Sequence, residues 1–462
     1  MKKKILLIYV YAPVSVTTLI AHTPPLGVGY MSSFLLQAGH TVKVVDLQVQ
    51  PESKVFEDLD FDIIGISTLT PYFPKACALI KAIKDRQFKG KVVIGGAHVT
   101  ALPALSLEQS GADLVCIGEG EPVMTKLANQ IPVEDIPGLG WMEEGKFRQT
   151  KVEAVTAPLD SYPFPAFELF DLERYGSLSM AIVPPGTRDG IIITSRGCPF
   201  SCDFCFKISS QIRFRSPENI VSEIKHLKSK FGYHTFSFID DCFNANPQRA
   251  KDICRLIIQE KLGITFTLPN GVRANLVDDE LAGLMKAAGC FRANIGVESW
   301  DDEVRSKMNK RLKRQEAIHA IKCLQKYGIN CTAYFIMGHY YDTVASLQRD
   351  IDAIKELDAD FFQYSKFIPM PGSPIYDKIV GEGRIKEKDF SKFSLFGDAS
   401  LMEHPLLSSA QIDLAIKHAY RQATFRWRTV WVILQRPVIL WNVLCNIGNV
   451  ARRFKLTTSV KQ

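Results

Sequence analysis

Short apolar runs rich in β-branched residues recur along this chain, with a segment of helical periodicity between one run and the next. Five of them, at 5–10, 42–46, 63–67, 92–95 and 114–118, open the sequence. None alternates strictly between apolar and polar residues, as expected of strands covered on both faces. Strand and helix in repeated succession predict βαβ crossovers and a doubly wound parallel (Rossmann-like) sheet over residues 1–135. Six further runs, at 191–194, 235–239, 264–268, 293–297, 331–337 and 361–367, alternate with helical patterns such as 217–230 and 315–327. Six βα units predict a partial (β/α)6 barrel of TIM type over 187–385, with its chemistry at the carboxyl ends of the strands. The stretch 136–186, punctuated by Pro137-Gly138, Pro158, Pro163 and Pro165, reads as a connector. Residues 386–462 are expected to form a helical C-terminal region.

A chain of 462 residues is too long for one compact domain, in keeping with this division. Hydrophobic residues at 46% and charged residues at 23% provide for cores and exclude a largely disordered chain. The start, MKKKILLIYVYAPV, has a basic head and an apolar run but no small-residue cleavage site, so it reads as a first buried strand rather than a signal peptide. Eleven cysteines in a chain without an export signal point to reduced thiols and a cytoplasmic setting.

In a doubly wound sheet, ligands sit beyond the carboxyl ends of the strands. The residues there are small or polar: Ser67, Thr68 and Thr70 after the third run, Gly95, Gly96, His98 and Thr100 after the fourth, and Gly118, Glu119, Gly120 and Glu121 after the fifth. Any one such loop is an ordinary tight turn; three together point to a ligand that approaches the backbone closely.

After the first barrel run comes Gly197-Cys198-Pro199-Phe200-Ser201-Cys202-Asp203-Phe204-Cys205. Three thiols on one loop converge on a metal centre, and thiolates select zinc or iron–sulfur clusters. Structural zinc takes four ligands, usually as two pairs, and no second pair of cysteines or histidines lies nearby. The other eight cysteines show no short ligand spacing, although Cys242 sits at a strand end between Asp241 and Phe243.

The spacing Cys-x3-Cys-x2-Cys, with an aromatic residue before the last cysteine, resembles the radical S-adenosylmethionine (SAM) enzymes. The resemblance implies a 4Fe-4S cluster on Cys198, Cys202 and Cys205, whose open iron binds SAM and whose electron cleaves it to a 5′-deoxyadenosyl radical. Asp240-Asp241-Cys242-Phe243, Arg273 and Glu298-Ser299 resemble later segments of that family. They imply SAM contacts at Phe204, Asp241, Arg273, Glu298 and Ser299. Where the family carries a Pro-Gly-Glu-Thr-like run, this chain has Tyr340-Tyr341-Asp342-Thr343, so relatives' substrate contacts do not transfer there. The order of sheet domain, proline-rich connector and barrel, together with Pro24-Pro25-Leu26-Gly27-Val28-Gly29-Tyr30, is similar to the cobalamin-dependent radical SAM subfamily. That likeness implies cobalamin on Ser67, Thr68, Thr70, Gly95, Gly96, His98, Thr100, Gly118, Glu119 and Gly120. No Asp-x-His-x-x-Gly occurs, and no histidine is assigned to cobalt. The implied activity is methylation of an unactivated carbon, with ferredoxin or flavodoxin as electron donor. Ring formation or oxidation on the same scaffold is the alternative, and a non-enzymatic thiolate-metal or nucleic-acid-binding protein is the alternative of another class.

The net charge of +7 belongs to the tail. From residue 414 onward there are nine Lys or Arg and no acid, so the body is close to neutral. Residues 421–455 mix these bases with Trp427, Trp431, Trp441 and Phe454, and their apolar runs are far shorter than the ~20 residues of a spanning helix. Such a segment suits the surface of an anionic membrane, a helix packed on the barrel or, less well, an arm for nucleic acid. The membrane reading carries with it a hydrophobic substrate of lipid or tetrapyrrole type.

Overall fold

Residues 2–12, 22–179, 183–184, 186–209, 211–394, 400–434, 438 and 440–441 are described by the structure, a computed structural model. The first five runs form parallel strands: β1 (Lys4–Tyr9), β2 (Thr41–Asp46), β3 (Ile63–Ser67), β4 (Lys91–Gly95) and β5 (Leu114–Cys116). Their lack of alternation has a direct cause. Ile5, Leu7, Val44 and Val93 point into one apolar layer, while Leu6, Ile8, Ile64 and Ile94 point into another. The strand order 2-1-3-4-5 reverses between β1 and β3, which opens a crevice at the carboxyl ends.

The sheet runs past residue 135, where the connector was expected to begin. A hairpin of β6 (Leu139–Glu143) and β7 (Lys146–Gln149) adds two antiparallel strands beside β5. It lies at a sheet edge with Met142 and Glu143 exposed, so no apolar run marks it in the sequence.

The second series opens with β8 (Asp189–Ile192), followed by a small hairpin of β9 (Ser195–Arg196) and β10 (Arg213–Phe214). Then come β11 (Thr235–Phe238), β12 (Thr265–Val272), β13 (Cys290–Glu298), β14 (Thr332–Met337) and β15 (Phe361–Lys366). These make a six-stranded parallel sheet in the order β15-β14-β13-β12-β11-β8, the open partial barrel expected. Its core includes Phe236, Phe266, Ile295, Ala333 and Leu324 and extends to Leu26, Tyr30 and Tyr162, so the barrel core reaches the first domain's opening helix and the connector.

In the C-terminal region, the helix Ser409–Thr424 packs on β15, where the Tyr420 hydroxyl donates to the Tyr364 carbonyl at 2.9 Å. A short helix, Trp427–Leu434, follows. Arg452, Arg453, Phe454, Lys455 and the rest of 442–462 lie outside the described residues. Among those described, no helix is long and apolar enough to cross a membrane.

Candidate cofactor sites

The β9–β10 hairpin exists to present the cysteine loop. Gly197 begins that loop at φ +86°, where a Cβ would lie 2.5 Å from the Gln211 carbonyl oxygen, so no side chain is tolerated. Lys207 ties the loop across itself, donating from Nζ to the Cys198 carbonyl at 3.2 Å and to that of Phe200. The turn at 308–310 holds it from one side. There Asn309 donates to the Ser201 carbonyl at 2.8 Å, and the Asp203 amide donates to the Met308 carbonyl at 3.0 Å. The Ile375 amide, donating to the Asp203 carbonyl at 3.0 Å, holds it from the other.

Cys198 and Cys202 are half-buried and Cys205 is exposed. Burial, reinforced by Cys202 and Cys198, pushes the Cys205 thiol up to about 11; burial raises Cys202 too, against the pull of Lys310 and Arg273. Such thiols become thiolates when a metal takes the proton's place. Among the described residues no three His, Cys, Asp or Glu side chains close around a single ion. The three thiols lie close enough for Cys198 to raise the pKa of Cys202 and for both to raise that of Cys205, and three thiolates on one loop suit an iron–sulfur cluster. Cys242 is buried next to Asn244 and within electrostatic reach of Cys198, and burial pushes its thiol up to about 12.

Two acids at the end of β11 divide the work. Asp240 is buried and accepts from the Thr194 amide at 2.5 Å and the Ser195 hydroxyl at 2.8 Å, which fastens β11 to β8 and β9. Asp241 takes the Gly197 amide and so adjoins the cysteine loop. On the other side, Arg273 stacks 4.2 Å from the centre of the Phe200 ring and donates to the Lys310 and Arg311 carbonyls. Glu298, at φ +71°, binds Lys310 Nζ at 2.7 Å. A Cβ on Gly296 would lie 2.3 Å from that carboxylate, so glycine is needed for it to fold back. Lys310 joins Arg273 and Glu298 from twelve residues downstream of Glu298, and nothing in the sequence marks it.

Ser299, expected to contact SAM, has a partner within the protein. It is fully buried and donates to Asp350 at 2.8 Å, which pins the end of β13 to the helix Val344–Leu357. Phe204 packs with Phe367, Ile375, Tyr340 and Tyr341, and lies edge-on to His339 with ring centres 6.2 Å apart. His339 is fully buried, with Nε2 3.3 Å from Asp203. Asp342 accepts the Gly338 and His339 amides at 2.9 Å each, so the unusual 340–343 run forms a tight turn beside the cysteine loop.

The three loops of the first domain are built as one surface. The Thr68 amide donates to the Gly95 carbonyl at 3.0 Å, and the Gly118 amide to the Thr100 hydroxyl at 3.0 Å. Gly96, at φ +109°, leaves a gap that a Cβ could occupy only 2.3 Å from the Thr68 carbonyl oxygen. Ser67, Gly95, Gly96, Thr100, Gly118 and Gly120 remain partly open around it. A bare-backbone cradle of this kind fits the broad face of a corrin.

Three of the expected cobalamin contacts have partners within the protein. His98 is fully buried between Phe73 and Phe390, with ring centres at 4.2 and 4.6 Å, and its Nδ1 meets the buried Thr70 hydroxyl at 3.3 Å. It props the loop from below, together with Thr70. Glu119 turns to the barrel, accepting from Arg196 at 2.8 Å and from Arg213. Arg196 and Arg213 escaped the sequence reading, because a charge pair that joins two domains leaves no local spacing.

With this geometry in place, comparison with known proteins is direct. Residues 14–128 match the B12 binding domain model, and residues 192–354 match that of the Radical SAM superfamily. The chain is 29% identical over 410 residues to an uncharacterized methyltransferase of Pyrococcus horikoshii, covering 86% of this chain and 87% of that one. It is 26% identical to the anaerobic magnesium-protoporphyrin IX monomethyl ester cyclase of Rubrivivax gelatinosus, covering 80% and 68%. The fold is similar to that of the radical SAM methyltransferase TsrM of Kitasatospora setae, a structure with cobalamin and a [4Fe-4S] cluster bound. The TM-score is 0.68 and the identity 19%, covering 83% of this chain and 75% of that one. The chain therefore belongs to the radical SAM enzymes that carry a B12-binding domain ahead of the barrel, with a 4Fe-4S cluster, SAM and cobalamin as its cofactors.

Proposed function

We propose that this enzyme transfers a methyl group to an unactivated carbon of a hydrophobic small molecule, of lipid or tetrapyrrole type. The observation that carries the reading is the junction of the two sites: the glycine-lined cradle and the three-cysteine loop meet at Glu119 and Arg196. When bound, the cluster and SAM supply a hydrogen-abstracting radical and cobalamin supplies the methyl group, which a side chain cannot do at a carbon without an acidic proton. The chain's own residues orient and exclude water. Arg273, Glu298 and Lys310 give charged and hydrogen-bonding groups for the polar ends of SAM, and Phe204 with Phe367 and Tyr341 closes an apolar wall beside the loop. The exposed Cys205 leaves that edge of the loop open to an electron donor of the ferredoxin or flavodoxin class.

The tail supports an approach to a lipid surface at the cytoplasmic side. Arg426 and Arg428 turn inward onto Asp358 and Asp360, which docks the short helix on the barrel. Trp427 and Trp431 stack with ring centres 6.1 Å apart and stand 74% and 48% exposed. Exposed tryptophans beside an acid-free basic tail suit an anionic bilayer interface.

Ring formation is the second reading, favoured by the likeness to the magnesium-protoporphyrin cyclase. Anaerobic incubation of the reconstituted enzyme with cell extract and SAM labelled on its methyl carbon separates the two. Methyl transfer yields a labelled, organic-soluble product together with 5′-deoxyadenosine. An unlabelled, oxidised product would sink the methyltransferase reading.

A further inference from the structure

Four charged side chains from the two domains meet behind the cysteine loop. Arg196 donates from its two terminal nitrogens to Glu119 at 2.8 Å and to Glu121 at 2.6 Å. Arg213, its cross-strand partner on β10, donates to Glu119 and, at 3.2 Å, to the Tyr162 hydroxyl. The rings of Tyr30 and Tyr162 cover the Arg196 guanidinium at 4.9 and 5.2 Å. The set is balanced, two carboxylates against two guanidiniums, and buried, with side-chain exposures of 15%, 8%, 10% and 4% for Arg196, Arg213, Glu119 and Glu121.

Burying four charges is a poor route to stability, since apolar side chains of similar size often do as well. What such a set supplies is geometry, because a guanidinium held by carboxylates has its distance and direction both prescribed. Its place in the chain says what that geometry controls. Glu119 directly follows Gly118 of the cradle, and Glu119 and Glu121 flank Gly120. Arg196 is two residues before the first cysteine of the loop. A displacement of either loop therefore reaches the other through one layer of side chains.

We propose that Glu119, Glu121, Arg196 and Arg213 are positioning residues that set the separation and tilt of the cobalamin cradle relative to the cysteine loop. The proposal rests on the cofactor sites argued above, and its test keeps the two apart. Wild-type protein and the Arg196→Met, Glu121→Gln and Arg196→Lys variants are reconstituted anaerobically with iron, sulfide and cob(II)alamin, then partly reduced. The electron-spin relaxation of cob(II)alamin then reports its distance from the reduced cluster.

Arg196→Met and Glu121→Gln should hold iron and cobalt at the wild-type stoichiometry yet lose much of the relaxation enhancement. Arg196→Lys, which keeps the charge without the fork, should recover part of it. Enhancement identical in all four proteins, with both cofactors bound, would overturn the positioning role and leave the cofactor sites standing. A wild type that takes up iron but no cobalamin would bring down the cobalamin reading and this proposal with it. A readout free of cofactors is amide exchange in the apo-protein. Arg196→Met should raise exchange at 118–121 and at 196–198 together, and an unchanged pattern counts against the coupling.

Discussion

His98 offers a sharp quantitative test, because its role as a buried prop predicts a specific acid sensitivity. Burial against Phe73 and Phe390 holds its pKa down to about 4, against an ordinary value near 6.5. As pH falls through about 6.5 the unfolded chain takes up a proton that the folded protein refuses, so stability is full above that value and eroded down to about 4. A gap of roughly 2.5 pH units corresponds to about 3 kcal/mol in all, of which about 2 kcal/mol falls between pH 7 and pH 5. His98→Phe removes the titration and keeps a ring in an apolar slot. Urea unfolding of the apo wild type and variant at pH 7 and pH 5 measures the difference, and titrations common to both proteins cancel. The wild type should lose about 2 kcal/mol more than the variant over that interval, and the variant should still bind cobalamin. A pH-independent difference would refute the burial argument; loss of cobalamin binding would return His98 to the corrin face.

Gly96→Ala places a Cβ 2.3 Å from the Thr68 carbonyl oxygen and should abolish cobalamin uptake, read from corrin absorbance after desalting. Gly39→Ala has a comparable positive φ but nothing within 4 Å, and should leave uptake unchanged. Ser299→Ala removes a donor from buried Asp350 and should destabilise the barrel by about 1–3 kcal/mol without changing the SAM dissociation constant measured by equilibrium dialysis. Weakened SAM binding in that variant would restore Ser299 as a contact. Trp427→Ser combined with Trp431→Ser should abolish sedimentation with vesicles of anionic lipid while leaving thermal unfolding unchanged; undiminished sedimentation would end the lipid-surface reading.

The parallel strands of both domains were legible because strands covered on both faces become continuous apolar runs, which β1 and β3 illustrate. The β6–β7 hairpin was not, because edge strands that expose Met142 and Glu143 have no reason to be apolar. Site residues follow a similar division. The cysteine loop and Gly96 lie in contiguous segments whose spacing or backbone demand is local. Glu298 and Ser299 are adjacent in sequence, but the left-handed backbone at Glu298 folds its carboxylate onto Lys310 while Ser299 turns to Asp350. Glu119 lies in a glycine-rich loop, yet the charges it meets come from another domain. Residue type and spacing mark a loop as a site, and the fold decides which side chains face it.

The account stands on Cys198, Cys202 and Cys205 holding one iron–sulfur cluster beside a cobalamin cradle. Anaerobic reconstitution with iron, sulfide and cobalamin, followed by metal analysis and absorbance, tests this directly. Wild-type protein should hold one 4Fe-4S cluster and one corrin per chain. Each of Cys198→Ala, Cys202→Ala and Cys205→Ala should lose the cluster while keeping the corrin, and Cys242→Ala should keep both. Stoichiometric zinc in place of iron, or a cluster that survives loss of these cysteines, would contradict the account.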